Sequence, residues 1–278
     1  MVIQLADSQQ QSQLIAFDKV TGERLWQTSR ESNGCWTTPV VAKVNNQWHL
    51  VVNGTGSSDG SSGFVQGYDI WSGRLLWKIP GTADIVCPTT IVGEDLLVST
   101  SGSNGPVIAI EKDFSGNAAT PTVRWETPTG GSYVPTGVLY RERLYVVDDD
   151  GILSCIDPTN GQQVWRERLR YSVSASLVAG ANRVYVAGES GDVYVVAAKD
   201  EFELLATNSL HEATLATPAI AAGDIFIRTQ SHLFCISEAA AQAEHSTDGQ
   251  DQNSVGATIN PIPSPSDVPT EPRPDGQG

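Results

Sequence analysis

Leu14-Ile-Ala-Phe-Asp-Lys-Val-Thr-Gly-Glu-Arg-Leu-Trp26 decides the fold, because the chain writes it repeatedly with the same punctuation. An apolar run ends in Asp18, Gly22 follows four residues later and Trp26 four after that. Val65 to Trp77 repeats the offsets with Asp69, Gly73 and Trp77, and Leu153 to Trp165 repeats them with Asp157, Gly161 and Trp165. Val107 to Trp125 keeps Glu111, Gly116 and Trp125 around an insertion. Val193 to Leu205 keeps only the apolar frame, with Leu205 in the Trp place, and Leu233 to Ile236 begins a sixth copy. Each copy reads as a β-hairpin. The first run has strand composition, the Asp can accept backbone N–H groups two residues on, and the Gly supplies the positive φ that turns the chain back. The Trp then lies on the returning strand, where its broad face can cover the seam to a neighbouring unit.

Outward from each hairpin lie two further strand-like runs. One starts near a proline in four of five cases: Pro39-Val-Val, Pro88 to Val92, Pro135 to Leu139, Ser176-Leu-Val and Pro218-Ala-Ile. Proline suits the first residue of a strand. After a turn marked by Asn45-Asn46, Gly93-Glu-Asp95, Gly180-Ala-Asn182 or Gly223-Asp224 comes the other: Leu50-Val-Val, Leu96-Leu-Val, Leu144 to Val147, Val184-Tyr-Val and Ile225-Phe-Ile. The unit is therefore four short antiparallel strands. Trp26, Trp77, Trp125 and Trp165 are separated by 51, 48 and 40 residues. A four-stranded unit at that period predicts an all-β fold, a β-propeller of four-stranded antiparallel blades. The longer steps hold loops at Gly54 to Gly63 and Lys112 to Thr122. The first and last units each show three strands, so the reading is of about six blades spanning residues 1–237. Residues 238–278, with six prolines from Pro261 to Pro274, read as a disordered, Pro-rich acidic tail.

Composition narrows function. The 17 Lys/Arg against 32 Asp/Glu leave a net charge of −15, which argues against a nucleic-acid partner bound through its phosphates. Residues 239–278 contribute six acids against Arg273. No apolar stretch approaches the roughly 20 residues of a membrane span, and the N-terminus does not have a signal-peptide pattern. Cys35, Cys87, Cys155 and Cys235 form no CxxC; Cys155 and Cys235 fall at the same place in two repeats and read as small buried apolar residues. Asp148-Asp149-Asp150-Gly151 offers oxygen ligands to a cation but reads better as a hairpin turn, lacking the late Glu of a calcium loop. Gly56-Ser-Ser-Asp-Gly60 matches a hydrolase elbow without the helix that strains the serine. Asn53-Gly-Thr55 is a formal glycosylation triplet. His49, His211, His232 and His245 share no spacing and read as surface or edge residues without carboxylate partners. Propellers bind on the face where loops lead into the innermost strands, and those loops hold Trp36, Asp84, Tyr133, Tyr171 and His211 as a candidate binding patch.

The Ala-x-Asp-x-x-x-Gly-x-x-x-Trp hairpin, over residues 1–237, resembles the tryptophan-docking repeat of pyrroloquinoline-quinone-type (PQQ-like) β-propellers, whose carriers include quinoprotein alcohol dehydrogenases and BamB-like outer-membrane-assembly propellers. Such rings usually have eight blades, and the resemblance implies that this chain is a fragment or a mis-started reading frame, missing about two blades and an export signal. It implies a non-catalytic, protein-binding scaffold in the periplasm or cell envelope. An alternative it allows is a PQQ-dependent dehydrogenase with part of its cofactor site in absent blades; another is a sensor module beside signalling kinases. The dehydrogenases of the family hold their quinone over adjacent cysteines and beside calcium. No such cysteine pair and no matching Glu, Asn and Asp set stands here, so neither PQQ nor calcium is expected as a cofactor.

Overall fold

The computed structural model describes residues 1–7, 12–30, 35–55, 63–83, 86–113 and 120–237. Asp84, the 56–60 elbow, His245 and the tail expected over 238–278 lie outside the described residues. Those described contain no helix and 22 strands in six antiparallel sheets. Sheet A is β1 (Val2–Asp7), β2 (Ser12–Phe17) and β3 (Arg24–Arg30); sheet B is β4 (Val40–Val44), β5 (Gln47–Asn53), β6 (Gly63–Asp69) and β7 (Leu75–Thr82). Sheet C is β8 (Ile91–Val92), β9 (Leu96–Thr100), β10 (Val107–Glu111) and β11 (Val123–Thr127); sheet D is β12 (Val138–Tyr140), β13 (Arg143–Val147), β14 (Ile152–Ile156) and β15 (Gln163–Arg168). Sheet E is β16 (Val178–Gly180), β17 (Arg183–Ala187), β18 (Asp192–Ala197) and β19 (Leu204–Ser209); sheet F is β20 (Ala219–Ala221), β21 (Asp224–Arg228) and β22 (Leu233–Ile236). Each sheet is a meander in chain order, and the first strands of successive sheets neighbour one another, β8 with β12, β12 with β16 and β16 with β20. The sheets are propeller blades fanned about those inner strands. Sheets A and F have three strands each among the described residues, as the sequence predicts.

The prolines sit slightly differently from the prediction. Pro39 and Pro218 immediately precede β4 and β20, whereas Pro88 and Pro135 lie three residues ahead of β8 and β12. A residue without an N–H is best placed before the ladder begins.

The Asp-to-Gly turns share one geometry. Asp18 Oδ1 accepts the N–H groups of Val20 and Thr21, Asp69 Oδ1 those of Trp71 and Ser72, and Asp157 Oδ1 that of Thr159. Gly22, Gly73 and Gly161 turn at φ of 74°, 71° and 75°. Their N–H groups return to the Asp carbonyls at 2.9–3.0 Å. These hydrogen bonds to the ionised form hold all three carboxyls below the usual carboxylate range, led by backbone N–H groups for Asp18 and by the Ser72 and Thr159 hydroxyls for Asp69 and Asp157.

The tryptophans hold the blades to one another. Trp26 Nε1 donates to the Ile70 carbonyl at 3.2 Å, Trp125 to Pro158 at 2.7 Å and Trp165 to Lys199 at 3.0 Å, each in the turn of the following blade. The residue across the ladder from each Trp is small, Ala16, Gly67, Ala109 or Cys155, and the residue before the Trp is bulged out of register. In sheet E that bulge falls on Leu205, so Ala206 rather than Leu205 occupies the Trp place, and the repeat step is 206 − 165 = 41. The cause is a turn one residue longer, closed from Ala197 N to Glu203 O instead of from Asp157 N to Gln162 O.

Trp77 departs from the pattern. The turn of blade C runs from Glu111 to Thr122, and the carbonyl where Trp77 would dock, that of Lys112, already accepts Asn45 N at 2.7 Å. The indole instead lies over its own blade and donates to His49 Nδ1 at 2.9 Å. A Cβ at Gly67 would sit 2.0 Å from that ring, which is why the small position is reduced to glycine here. His49 is thus a core residue, 4% exposed, and the expectation that it lies on the surface is corrected.

Burial lowers the His49 pKa, with Asp69 partly opposing. A neutral imidazole is what the Trp77 bond requires. Because the folded pKa is depressed, the unfolded chain binds the proton more readily; the contribution is complete above pH about 6.5 and is lost as pH falls through the folded value. Thermal unfolding followed by tryptophan fluorescence is expected to show a midpoint that drops as pH is lowered from about 7 to 5. His49→Gln, which keeps an acceptor but does not titrate, is expected to flatten that slope.

Between blades the core is continuous. Tyr145, Leu153, Val184 and Val196 pack across the D–E seam, and Val51, Val65, Leu97 and Ile108 across B–C. Each such side chain contributes about 1.5–3 kcal/mol on burial. A blade has apolar side chains on both faces, so neither face is satisfied without a neighbour.

Candidate functional site

One face carries the loops from each outermost strand to the next innermost strand. A chain of hydroxyls holds these loops together. Thr38 N donates to Thr89 Oγ1 at 3.4 Å, Thr89 N to Thr136 Oγ1 at 3.0 Å, Thr136 N to Ser176 Oγ at 3.0 Å and Ser176 N to Thr217 Oγ1 at 3.1 Å. Each bond passes from one blade to the next around the centre. Sequence reading missed this belt. Its signal is a Thr or Ser at a fixed place ahead of every innermost run, and single hydroxyl residues do not stand out against the background of a loop.

Acidic side chains clamp the same loops from below. Asp149 accepts Tyr133 N at 2.8 Å and Val134 N at 3.0 Å, while Asp148 Oδ1 accepts Ile152 N at 2.8 Å. The Asp148–Asp150 run therefore acts as turn and loop brace, as the hairpin reading expects. Ser174 donates to Glu189, and Thr229 to Glu212. Glu212 also meets His232 Nδ1 at 2.9 Å, which corrects the expectation that no histidine has a carboxylate partner. The Thr229 hydroxyl first and then His232 hold the Glu212 carboxyl at about 2.

The four predicted patch residues that are described share this face without forming one cluster. Trp36 is 69% exposed, its N–H donating to the Val86 carbonyl at 3.1 Å. Tyr133 is half-buried between the Asp149 clamp and Cys87. Tyr171 is half-buried under Arg170, whose guanidinium lies 5.1 Å from the ring centroid, and His211 is exposed at φ 55°. No hydrogen bond or ring contact joins any two of these four. The place two residues before the belt is filled in turn by Trp36, Cys87, Val134, Ser174 and Leu215, and Leu215 is 64% exposed. Among the described residues, Trp36 and Leu215 are the large apolar side chains this face offers to solvent, and sequence reading had passed over Leu215.

Burial, and then the Asp149 charge, raise the Cys87 thiol above its usual range, opposed by a bond from Tyr133. Cys155, opposite Trp165, is pushed up to about 11 by burial. None of the four cysteines is in a disulfide; Cys35 and Cys155 are buried, while Cys87 and Cys235 are half-buried. Among the described residues no group of three His, Cys, Asp or Glu is placed to hold a metal ion. Asn53 of the glycosylation triplet is fully buried, its amide donating to the Pro88 and Thr100 carbonyls at 3.1 and 2.9 Å, so it is a strut between blades and closed to modification. A polar pocket of ≈ 170 Å³ on the opposite face is lined by Lys43, Asn46, Glu94, Lys112 and Asp113; the Lys112 ammonium already donates to the Gly93 and Glu94 carbonyls.

Comparison with known proteins accords with this geometry. A family model described as outer membrane protein assembly factor BamB matches residues 1–167 and 149–261. Outer membrane protein assembly factor BamB of Kangiella koreensis is 31% identical over 120 residues, a match covering 39% of this chain and 30% of that protein. The chain thus aligns with under a third of that relative's length. The crystal structure of BamB from Moraxella catarrhalis superposes with a TM-score of 0.62 at 12% identity, covering 83% of this chain and 68% of that one, a likeness of fold. With the model matched along most of its length and the Asp-Gly-Trp hairpins in docked positions, the chain belongs to the BamB-type family of PQQ-like β-propellers.

Proposed function

We propose that this chain is a non-catalytic binding platform of the bacterial cell envelope that grips a protein partner with its central-face loops. The observation that carries the reading is the pairing of exposed apolar side chains, Trp36 and Leu215, with loops tied into the hydroxyl belt at Thr38 and Thr217. A large exposed apolar group on a rigid loop loses little entropy on binding and supplies the kind of anchor that dominates interfaces. Tyr133, Tyr171 and His211 lie in separate loops of the same face and would add polar contacts. The family supports an assembly role, since the relatives matched are named as outer membrane assembly factors.

A photo-cross-linking residue placed at Trp36 or Leu215 tests this in envelope preparations of the native host. The expected result is one discrete adduct from each of these positions and none from Trp71, which is 73% exposed but lies in a turn on the opposite face. Equal cross-linking from all three positions, or saturable binding of pyrroloquinoline quinone with calcium and dye-linked alcohol oxidation, would overturn the reading.

A further inference from the structure

Among the described residues seven large apolar side chains are more than half exposed, and they are not scattered. Trp36 and Leu215 belong to the central face, while Val2, Val20, Leu25, Trp48 and Trp71 all lie at the opposite end of blades A and B. Because each sheet is a meander, the turns joining first to second and third to fourth strands share that end. Val20 and Trp71, 84% and 73% exposed, hold the same place in the Asp-to-Gly turns of neighbouring blades, two residues after Asp18 and Asp69. Trp48 stands one residue before the ladder partner of Asp69, a place held in blade C by Asp95.

Bases are interleaved with these side chains. Lys19 precedes Val20, Arg24 precedes Leu25, Lys43 is opposite Trp48 in the β4–β5 ladder and Arg74 follows the Trp71 turn, and all four are exposed. Lys43 also borders the polar pocket between blades B and C. Among the described residues one exposed acid, Glu23, stands with them; the Asp18 and Asp69 carboxylates are taken by their own turn N–H groups. At the same end, blades C to E expose Glu94, Asp95, Asp113, Glu142, Asp200 and Glu201, and there Arg124, Arg143 and Lys199 are matched by acids. A chain with a net charge of −15 thus gathers its uncovered apolar side chains where its surface is cationic.

Tryptophan beside Lys and Arg, whose stems run along apolar matter while their heads stay wet, suits the boundary of a bilayer. The apolar tips stand on separate turns. A fluid headgroup layer accepts them at any spacing, whereas a protein would have to match each one, and lysine is depleted from the cores of protein interfaces. We propose that this end of blades A and B docks on an anionic lipid bilayer, with Val20, Trp48 and Trp71 entering the headgroup layer and Lys19, Arg24, Lys43 and Arg74 meeting lipid phosphates. The acids of blades C to E are repelled by the same surface, which tilts the chain onto its A–B side. The central face then points away from the bilayer, so the docking does not depend on what those loops bind.

The test uses the full chain and vesicles of phosphatidylethanolamine with phosphatidylglycerol, separated by flotation. The expected result is co-flotation that weakens with added salt and is lost on vesicles of phosphatidylcholine alone. Val20→Ser/Trp71→Ser and Lys19→Glu/Arg74→Glu are each expected to lower the partition coefficient about tenfold or more. Leu204→Ser, at the same end of blade E, is expected to leave it unchanged. The substituted side chains are exposed, so circular dichroism of each variant is expected to match the parent. Absence of flotation, equal partition of the parent and both double variants, or equal flotation with phosphatidylcholine would refute the docking. A dimer of the parent that Val20→Ser/Trp71→Ser makes monomeric, or a soluble protein retained by the parent and not by that variant, would without flotation name a second copy or a protein as the occupant and also refute it. Lipid leaves no discrete protein adduct at Trp71. Flotation without cross-links from Trp36 and Leu215 therefore removes the platform reading alone, and those cross-links without flotation remove the docking alone.

Discussion

Trp165→Ala is expected to destabilise the protein by about 3–5 kcal/mol, the range for removing a large aromatic from a packed core. The indole is 8% exposed, lies edge-on to Phe202 with centroids 5.2 Å apart and tilted to Tyr145 at 5.9 Å, and bonds the Lys199 carbonyl. Its loss opens a cavity at the D–E seam and leaves a carbonyl of the next blade unpaired. Trp165→Phe separates these contributions: it keeps most of the ring contacts and loses the N–H donor, so a cost of about 1 kcal/mol beyond the smaller ring is expected. Trp71→Ala is the control. That side chain is largely in solvent, and its removal is expected to change stability by no more than about 0.5 kcal/mol. Chemical denaturation followed by far-ultraviolet circular dichroism reads all three; a Trp165→Ala midpoint equal to that of Trp71→Ala would show that the indoles do not hold the blades together.

Gly73→Ala is expected to cost about 2–5 kcal/mol, because two penalties fall on one atom. The backbone is at φ 71°, where a side chain costs about 1–2 kcal/mol, and a Cβ there would lie 2.4 Å from the Trp26 ring, an overlap of the kind that costs about 1–3 kcal/mol. Gly22 isolates the first penalty. Its turn is the same and its φ is 74°, yet no atom lies within 4 Å of the added Cβ, so Gly22→Ala is expected to cost only about 1–2 kcal/mol. Combining Gly73→Ala with Trp26→Ala gives the cycle: the clash vanishes when the ring is absent, and the pair is expected to cost less than the sum of the singles. Gly161, 2.6 Å from the Trp125 ring, is expected to follow Gly73.

Both expectations begin from residues that sequence reading had singled out, and the reason is that their work is local. Asp18, Asp69 and Asp157 bond N–H groups two and three positions away, the glycines turn the chain within the same five residues, and strand alternation is a property of neighbours. Local rules suffice to count the strands, place the hairpins and find three strands in sheets A and F. They also place Trp36, Tyr133, Tyr171 and His211 on one face, since these residues sit in loops whose position follows from strand order.

What the sequence could not determine depends on partners far along the chain. Trp77 looks like its three counterparts, yet only the occupied Lys112 carbonyl in the next blade sends it to His49. Leu205 and Ala206 compete for one site, and a turn longer by a single residue decides between them. The belt from Thr38 to Thr217 is held by bonds across 40 to 51 residues, and Asn53 is buried by contacts 35 and 47 residues away. The amino-acid order by itself determined the blade, whose hydrogen bonds close within one repeat; only the tertiary structure decided how blades meet and which side chains the meeting leaves in solvent, because a seam is made by two surfaces that no single repeat contains.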